Sequence, residues 1–464
     1  MKLAVIGTGY VGTVTGTCLA ELGHDVICAD VNEARIEKLQ QGEMPFFEAG
    51  LEPLIRYNVQ EGRLRFTTDI KEAVAESEVV FLCIGTKGTG SEAKPDLKPL
   101  MKAVKDIAGA MGPDRYRLIV EKSTLPIKTG EWLKDLLTAE APKGADFDIA
   151  AVPQFMREGN AIWDFLHPDR IVIGAENQRA IDILVSIYGT LNAPLLVTDI
   201  NSAELIKHAA NAFLAMKISF INSVAQICEK TGADIAKVAK GLGMDKRISP
   251  DYLNAGLGYG GIFLPKDISS LVNIADEYHI NLDLLKATEV INRYQRIRFM
   301  ERIEQAVEGK DLHGKTIAVW GLAFRPNTDD MRDAPSINII RGLQKRGVKK
   351  IRAFDPLAMK ATREIMPDIT YCNSVYEAAE GADVIAILTE WPDFQYINFT
   401  ELKQISACRV IVDGRNLYNP IRMAKLGYHY WSIGRQKHSP EAYLNPETPG
   451  DSAPPKTKKA MAKA

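Results

Sequence analysis

Cysteine and histidine are both scarce, with six and seven residues among 464. The cysteines (Cys18, Cys28, Cys83, Cys228, Cys372, Cys408) are scattered without a CxxC pair, and most lie in apolar stretches, as expected of reduced core thiols in a cytoplasmic protein. The histidines show no HxH or HExxH spacing, so no metal site is expected. No apolar run approaches the roughly 18 residues that a membrane span needs. Lys2 is followed by only the short apolar run Leu3 to Ile6, too little for a signal peptide. An excess of one charge is also missing. With 57 Lys+Arg against 59 Asp+Glu the formal charge is -2, which provides no global field for nucleic acid or an anionic membrane. Any anionic ligand must be held by local groups. A composition 46% hydrophobic and 25% charged excludes disorder, collagen-like repeats and a coiled-coil rod, and the length predicts about two to four domains.

Hydrophobic patterning divides the chain. Leu3 to Ile6, Val26 to Ala29, Val79 to Cys83 and Leu118 to Val120 have the character of buried parallel strands, separated by amphipathic helical patterns. That alternation is the βαβ signature of a doubly wound sheet. Strand-like segments continue at Asp148 to Ala151, Ile171 to Ile173 and Leu195 to Val197. Ser202 to Thr231 contains neither glycine nor proline and predicts one long helix, with further helical patterns over Ile235 to Leu242, Ile268 to Tyr278 and Leu284 to Glu308. A second βαβ pattern runs through Thr316 to Trp320, Ile351 to Phe354, Val384 to Leu388 and Val410 to Val412. The organisation expected is α/β over 1–199, helical over 200–308, α/β again over 309–434, and a flexible basic tail over 435–464.

Gly7-Thr8-Gly9-Tyr10-Val11-Gly12 follows the first strand and opens a helix. Gly7 permits the tight turn, Gly9 lets backbone approach a pyrophosphate, and Gly12 allows close packing of helix on strand. The phosphates would lie at the helix N-terminus, where free N–H groups and the dipole favour anions. Asp30 ends the second strand, where an acidic group accepts hydrogen bonds from the adenosine ribose and repels a 2′-phosphate, so the cofactor expected is NAD. The second α/β segment lacks this fingerprint. Gly321-Leu322-Ala323-Phe324-Arg325-Pro326-Asn327 has one glycine in place and a cation in the loop, better suited to a nucleotide or sugar phosphate.

GTGYVG, then KSTLPIKTG (122–130), PQFMREG (153–159), AELIKHAANAFLAMKISFIN (203–222), GLGYGG followed by LPKD (256–267), GLAFRPNTDDMR (321–332) and DGRNL (413–417) occur in one order. In that order they resemble the UDP-glucose/GDP-mannose dehydrogenase family, and the UDP-glucose 6-dehydrogenases within it, over roughly residues 1 to 434. The resemblance implies two Rossmann-like doubly wound domains joined by a long central helix and a helical dimerisation region, a homodimer, and UDP-sugar and NAD as ligands. It also implies two successive hydride transfers at C6 of UDP-glucose. The second requires a cysteine thiolate, within GFGGSCFPKD, to convert the aldehyde through a thiohemiacetal to a thioester, and a glutamate, within NPEFLREG, to help hydrolyse it.

Both of those positions differ here. Phe263 stands where the family cysteine belongs and Ile262 where the serine belongs, and Gln154 replaces the glutamate. Phenylalanine has no nucleophilic atom, and a neutral amide cannot act as a general base. Among the other thiols, Cys83 is the nearest candidate, since it ends a strand on the cofactor side.

The rest of the pattern is present. By resemblance Lys207 and Asn211, four apart on one helix face, stabilise the developing alkoxide and orient a water, Asp267 completes a proton relay and Thr124 holds the water. Taken alone, Lys207 could be a solvated helix lysine and Asp267 a helix N-cap. The cofactor contacts implied are Gly7, Gly9, Tyr10, Val11, Gly12, Asp30, Arg35, Thr86, Thr124, Glu158, Lys266 and Arg332. For the UDP-sugar they are Phe155, Met156, Arg157 and Glu158, Lys207 and Asn211, and Arg247 from a partner subunit. Tyr252, Leu253, Asn254, Gly256, Gly258, Tyr259, Gly260, Phe324, Arg325 and Arg415 complete the set. Asn254 stands where relatives often carry lysine, and Lys87 where proline is common.

Three functions are compatible with these residues. One is an NAD-dependent oxidation of a UDP-hexose that stops after two electrons. The others are a redox-neutral epimerase-type reaction and a catalytically silent protein that binds UDP-sugar and NAD.

Overall fold

The computed structural model describes residues 1–85, 96–113 and 115–441. Thr86, Lys87 and most of the expected tail lie outside them. Two compact units are present among the described residues: 1–214 with 261–286 and 327–333, and 215–260 with 287–326 and 334–441.

The first unit holds an eight-stranded sheet of β1 (Lys2–Ile6), β2 (Asp25–Ala29), β3 (Leu64–Thr67), β4 (Val79–Leu82), β5 (Arg117–Glu121), β6 (Phe147–Ala151), β7 (Ile171–Ala175) and β8 (Leu195–Thr198). Their spatial order is 3-2-1-4-5-6-7-8. The first six strands follow the order of a dinucleotide-binding sheet. All neighbours pair in parallel except β6 and β7, which are antiparallel. Strand residues alternate between faces, so Leu3 and Val5 join one apolar cluster while Ala4 and Ile6 join the other. Helices cover both faces, which is why these strands read as nearly continuous apolar runs.

The second unit holds six strands, β9 (Thr316–Trp320), β10 (Lys350–Phe354), β11 (Thr370–Tyr371), β12 (Val384–Ile387), β13 (Val410–Asp413) and β14 (His429–Ser432). They are all parallel, in the order β11-β10-β9-β12-β13-β14. This repeats the 3-2-1-4-5-6 order of the first sheet. Four helices matter for the site: α1 (Tyr10–Glu21), α2 (Thr129–Glu140), α3 (Ile200–Thr231) and α4 (Phe263–Glu277). α3 begins two residues before the expected Ser202 and ends at the expected Thr231.

The structure departs from the sequence pattern in three places. β7 runs against its neighbour β6; β3, β11 and β14 were not signalled; and α4 begins at Phe263 instead of Ile268. The last difference has a simple cause. Pro265 and the glycines before it read as a loop, but proline in the first turn of a helix loses no internal hydrogen bond, so the turn begins ahead of it.

The tip of β10 explains why the second sheet carries no dinucleotide fingerprint. Asp355, fully buried, accepts from the N–H groups of Leu322 (2.6 Å), Ala323 (3.1 Å), Leu357 (2.9 Å) and Ala358 (2.8 Å) and from Trp391 Nε1 (2.9 Å). It occupies the place that Asp30 has in the first sheet, but its oxygens are consumed by the loop's own backbone. Asp355→Ala should therefore cost about 3–5 kcal/mol, because five donors, four of them buried, lose their acceptor, while Asp355→Asn costs less. Chemical denaturation of the two variants checks this.

Candidate active site

The turn between β1 and α1 is built from steric constraints. Gly7 has φ +97°, and a Cβ on Gly12 would lie 1.8 Å from the Gly7 carbonyl oxygen. Beside Gly9 there is open space. No side chain caps α1 and no acidic residue lies in its first turn, so its N-terminal dipole is available to an anion. Asp30 Oδ2 accepts from Thr8 N (2.7 Å), Thr8 Oγ1 (3.0 Å) and Arg35 Nη1 (2.9 Å), whereas Oδ1 accepts only from Asn32 N (3.0 Å). A lone pair on Oδ1 therefore remains for a ribose hydroxyl, and Arg35 is already paired with Asp30. The residues present fit NAD.

Glu48, which the motifs do not include, ties this turn to the loop after β6. Its carboxylate accepts from Tyr10 Oη (2.5 Å), Gly159 N (2.7 Å) and Ala161 N (2.8 Å). Gly159, at φ +80°, lies so close to Asn327 that a Cβ would meet its carbonyl oxygen at 2.6 Å. The same segment carries Arg332, whose guanidinium bonds Glu158 (3.1 Å) and Asp330 (2.7 Å).

Farther along the first unit, Lys207, Asn211 and Asp267 converge. Lys207 is buried, with Nζ 4.0 Å from Asp267 Oδ2, and Asn211 Nδ2 donates to that same oxygen. The solvated-lysine reading is thus overturned. So is the N-cap reading of Asp267, which lies inside α4, fully buried, with its side chain turned toward α3. Burial holds the Lys207 ammonium down at about 8, Asp267 opposing and Arg170 adding to the shift. Two aromatic rings face the Lys207 ammonium, Phe155 at 5.4 Å and Phe263 at 5.8 Å to the centroid. Lys266 Nζ donates to the Thr124 carbonyl (3.0 Å), while Thr124 Oγ1 is buried without a hydrogen-bond partner. Gln154 is buried, its Oε1 accepting from Met156 N (2.8 Å) and its Nε2 unpaired.

The nearest alternative thiol is not a nucleophile. Cys83 is buried beneath the glycine turn, and burial pushes its thiol up to about 12 although Lys122 opposes the shift. All six cysteines are buried.

In the second unit the GLGYG loop is held by residues that the motifs did not flag as anchors. Asn222 Oδ1 accepts from Gly256 N (2.8 Å), Gln295 Nε2 donates to the Gly256 carbonyl (2.9 Å), and Asn292 bonds both Tyr259 N (2.8 Å) and the Tyr259 carbonyl (3.0 Å). Gly258 has φ +88°, and a Cβ there would lie 2.1 Å from Asn292 Oδ1. Arg415 reaches the carbonyls of Leu388 (2.8 Å), Phe324 (3.3 Å) and Gly258 (3.4 Å), so it gathers three loops at one point. Leu253 is buried and Tyr252 adopts φ +62°. Arg247 and Asn254 stand apart from this cluster. Arg247 is largely exposed and paired with Asp245 (2.6 Å), and Asn254 is exposed.

A doubly wound sheet with an uncapped glycine turn and an acidic tip defines an NAD-binding protein. Comparison with known proteins places it further. Residues 1–192 match the NAD binding domain of the UDP-glucose/GDP-mannose dehydrogenase family, 201–294 its central domain and 318–420 its UDP binding domain. The chain belongs to that family. It is 42% identical over 440 residues to a UDP-glucose 6-dehydrogenase of Rhizobium meliloti (strain 1021), covering 94% of this chain and 100% of that protein. It is 41% identical over 435 residues to UDP-glucose 6-dehydrogenase TuaD of Bacillus subtilis (strain 168), covering 94% and 93%. Among solved structures, a UDP-glucose dehydrogenase from Pyrobaculum islandicum matches with TM-score 0.85 at 34% identity, covering 93% of this chain and 97% of that one.

Among the described residues no helix is long and apolar enough to cross a membrane, and no group of His, Cys, Asp and Glu is arranged to hold a metal ion.

The two glycines separate binding from folding. Gly9→Ala should keep the melting temperature, because its Cβ enters open space, yet weaken NAD binding at least about tenfold where the pyrophosphate must approach. Gly12→Ala should destabilise the protein by about 3 kcal/mol. Calorimetric titration with NAD and thermal unfolding check both.

Proposed function

We propose that this protein removes a hydride from C6 of a UDP-hexose, UDP-glucose being the substrate of choice, and stops at the two-electron product. The observation that carries the reading is the Phe263 ring beside the buried Lys207 ammonium. At the position where the resemblance requires a thiolate there is a phenyl group, and every cysteine is buried elsewhere. In this reading the segments 1–199 and 309–434 bind NAD and the UDP moiety. The helical segment 200–308 pairs two copies, supported by Leu205, Phe213, Phe220 and Ile227, which are exposed along α3 at seven- to eight-residue spacing.

NAD, when bound at the glycine turn, supplies the hydride acceptor. The chain's own residues manage charge and position. The hydroxyl that loses its proton acquires negative charge, which the Lys207 ammonium stabilises in a buried site. Asn211 and Asp267 hold one another, so Asp267 presents a fixed carboxylate oxygen toward Lys207. Thr124 Oγ1, without a protein partner, is available to a water. An aldehyde formed at this place finds no thiolate, and Gln154 cannot deprotonate a water to complete oxidation to the acid.

The direct test is to incubate the protein with UDP-glucose and NAD, count NADH per sugar, and identify the product. One NADH with an aldehyde or its hydrate is expected; two NADH with acid, or an altered sugar without NADH, overturns the reading. Phe263→Cys combined with Gln154→Glu should raise acid formation. The pH profile tests Lys207 separately. Its charged form is present below about pH 8 and lost above it, so kcat/KM should fall through that range. Lys207→Arg should abolish that limb, and Lys207→Ala should cost about 10²–10³-fold in rate.

A further inference from the structure

His208 follows Lys207 on α3, and its ring is almost wholly buried. Nε2 lies 2.8 Å from the Leu125 carbonyl oxygen, which can only accept, so Nε2 carries a hydrogen. In the neutral ring the other nitrogen presents a lone pair. It faces Asp267 Oδ1 at 3.6 Å, and neither atom has a hydrogen-bond partner among the described residues. Two buried acceptors thus oppose one another across a gap that one proton would close into a hydrogen bond. On its other side, Asp267 offers Oδ2 to Asn211 and Lys207.

We propose that His208 and Asp267 form a seat for the proton released in substrate oxidation. This rests on the reading of Lys207 and Asp267 as active-site residues. The balance is complete. The C6–H bond breaks with its electron pair leaving as hydride to oxidised NAD, the O–H bond breaks to form the carbonyl, and its proton comes to rest between Asp267 Oδ1 and His208 Nδ1. The proton later returns to solvent when the product leaves.

The surroundings favour this seat over the neighbouring acids. A small cavity of about 10 Å³ is lined by Glu121, Thr124, Glu204, Lys207 and His208, among others, and is no larger than one water needs. Glu121 on β5 is hydrogen-bonded to Glu204 on α3, so the two carboxyl groups share a proton between them, and burial, with the Glu204 charge adding to it, pushes Glu121 up. Glu204 accepts from Lys128 N (2.5 Å) and Gly130 N (2.8 Å) at the start of α2. From α4, Lys266 is turned to the Thr124 carbonyl. Lys207, Lys266 and the Glu121–Glu204 pair are the charged or titratable groups that act on the seat, and none occupies it.

The test uses the full-length protein and two independent readouts. In wild-type protein with ¹⁵N-labelled histidine, the His208 ring, assigned with His208→Gln, should gain its second proton on Nδ1 in step with the acid limb of kcat/KM for NADH formation. In Asp267→Asn the same ring should gain it at a pH at least one unit lower. His208→Gln should move the acid limb of kcat/KM at least one unit to lower pH and slow oxidation about tenfold, with KM for UDP-glucose and for NAD unchanged. A ring titration indifferent to Asp267→Asn, or an acid limb unmoved in a folded His208→Gln, overturns the seat while leaving the dehydrogenase reading intact. If wild-type protein produces no NADH, the dehydrogenase reading and the role of the seat in oxidation fail together, and a ring titration that still responds to Asp267→Asn then shows only a proton-sharing pair.

Discussion

A lysine ammonium buried in the first unit is the constraint around which the site is arranged. Removing a charge from water costs several kcal/mol unless partners replace the lost hydration. For Lys207 those partners are one carboxylate oxygen and two aromatic faces. Asp267 must therefore be delivered from α4 to α3, and the start of α4 at Phe263 is what sets its side chain at that depth. The fully buried Asp267 in turn needs Asn211, one turn beyond Lys207. Each member exists in its present form because another is there.

The same burial decides the chemistry available. In the function proposed, a buried cation with depressed basicity would meet an anion that exists only during reaction, which is the differential stabilisation that catalysis requires. The phenyl ring of Phe263 contributes a polarisable face to that cation and nothing to a covalent step. In the function proposed, lysine, asparagine and aspartate without the thiol and the carboxylate would serve alcohol oxidation and not aldehyde oxidation. At the cofactor end the logic is steric: the helix must approach the strand closely enough that Gly12 has no room for a methyl group, and only then do its first N–H groups lie at the turn.

Much of this was legible from residue order alone. The glycine turn and Asp30 depend on contacts within one βαβ unit, so spacing carries them. Strands covered on both faces show as unbroken apolar runs, and α3 as a stretch without glycine or proline. Edge strands such as β11, only two residues long, carry too little pattern to be seen. Glu48 was not legible, because it bonds Gly159 across 111 residues. Nor were Asn222, Asn292 and Gln295, whose amides serve a loop 33 to 39 residues away in sequence.

The sequence by itself determined the class of fold, the NAD turn and the absence of a nucleophile at residue 263, since each depends on residue identity within a short motif. Only the tertiary structure decided that Lys207 is buried, that Asp267 sits inside a helix and not at its cap, and that His208 faces the same carboxylate from behind. Those facts depend on how α3 and α4 pack, and packing joins residues 56 positions apart whose separate patterns say nothing of one another. Desolvation acts on the assembled pocket, so the chemical character of Lys207 belongs to the fold and not to the residue.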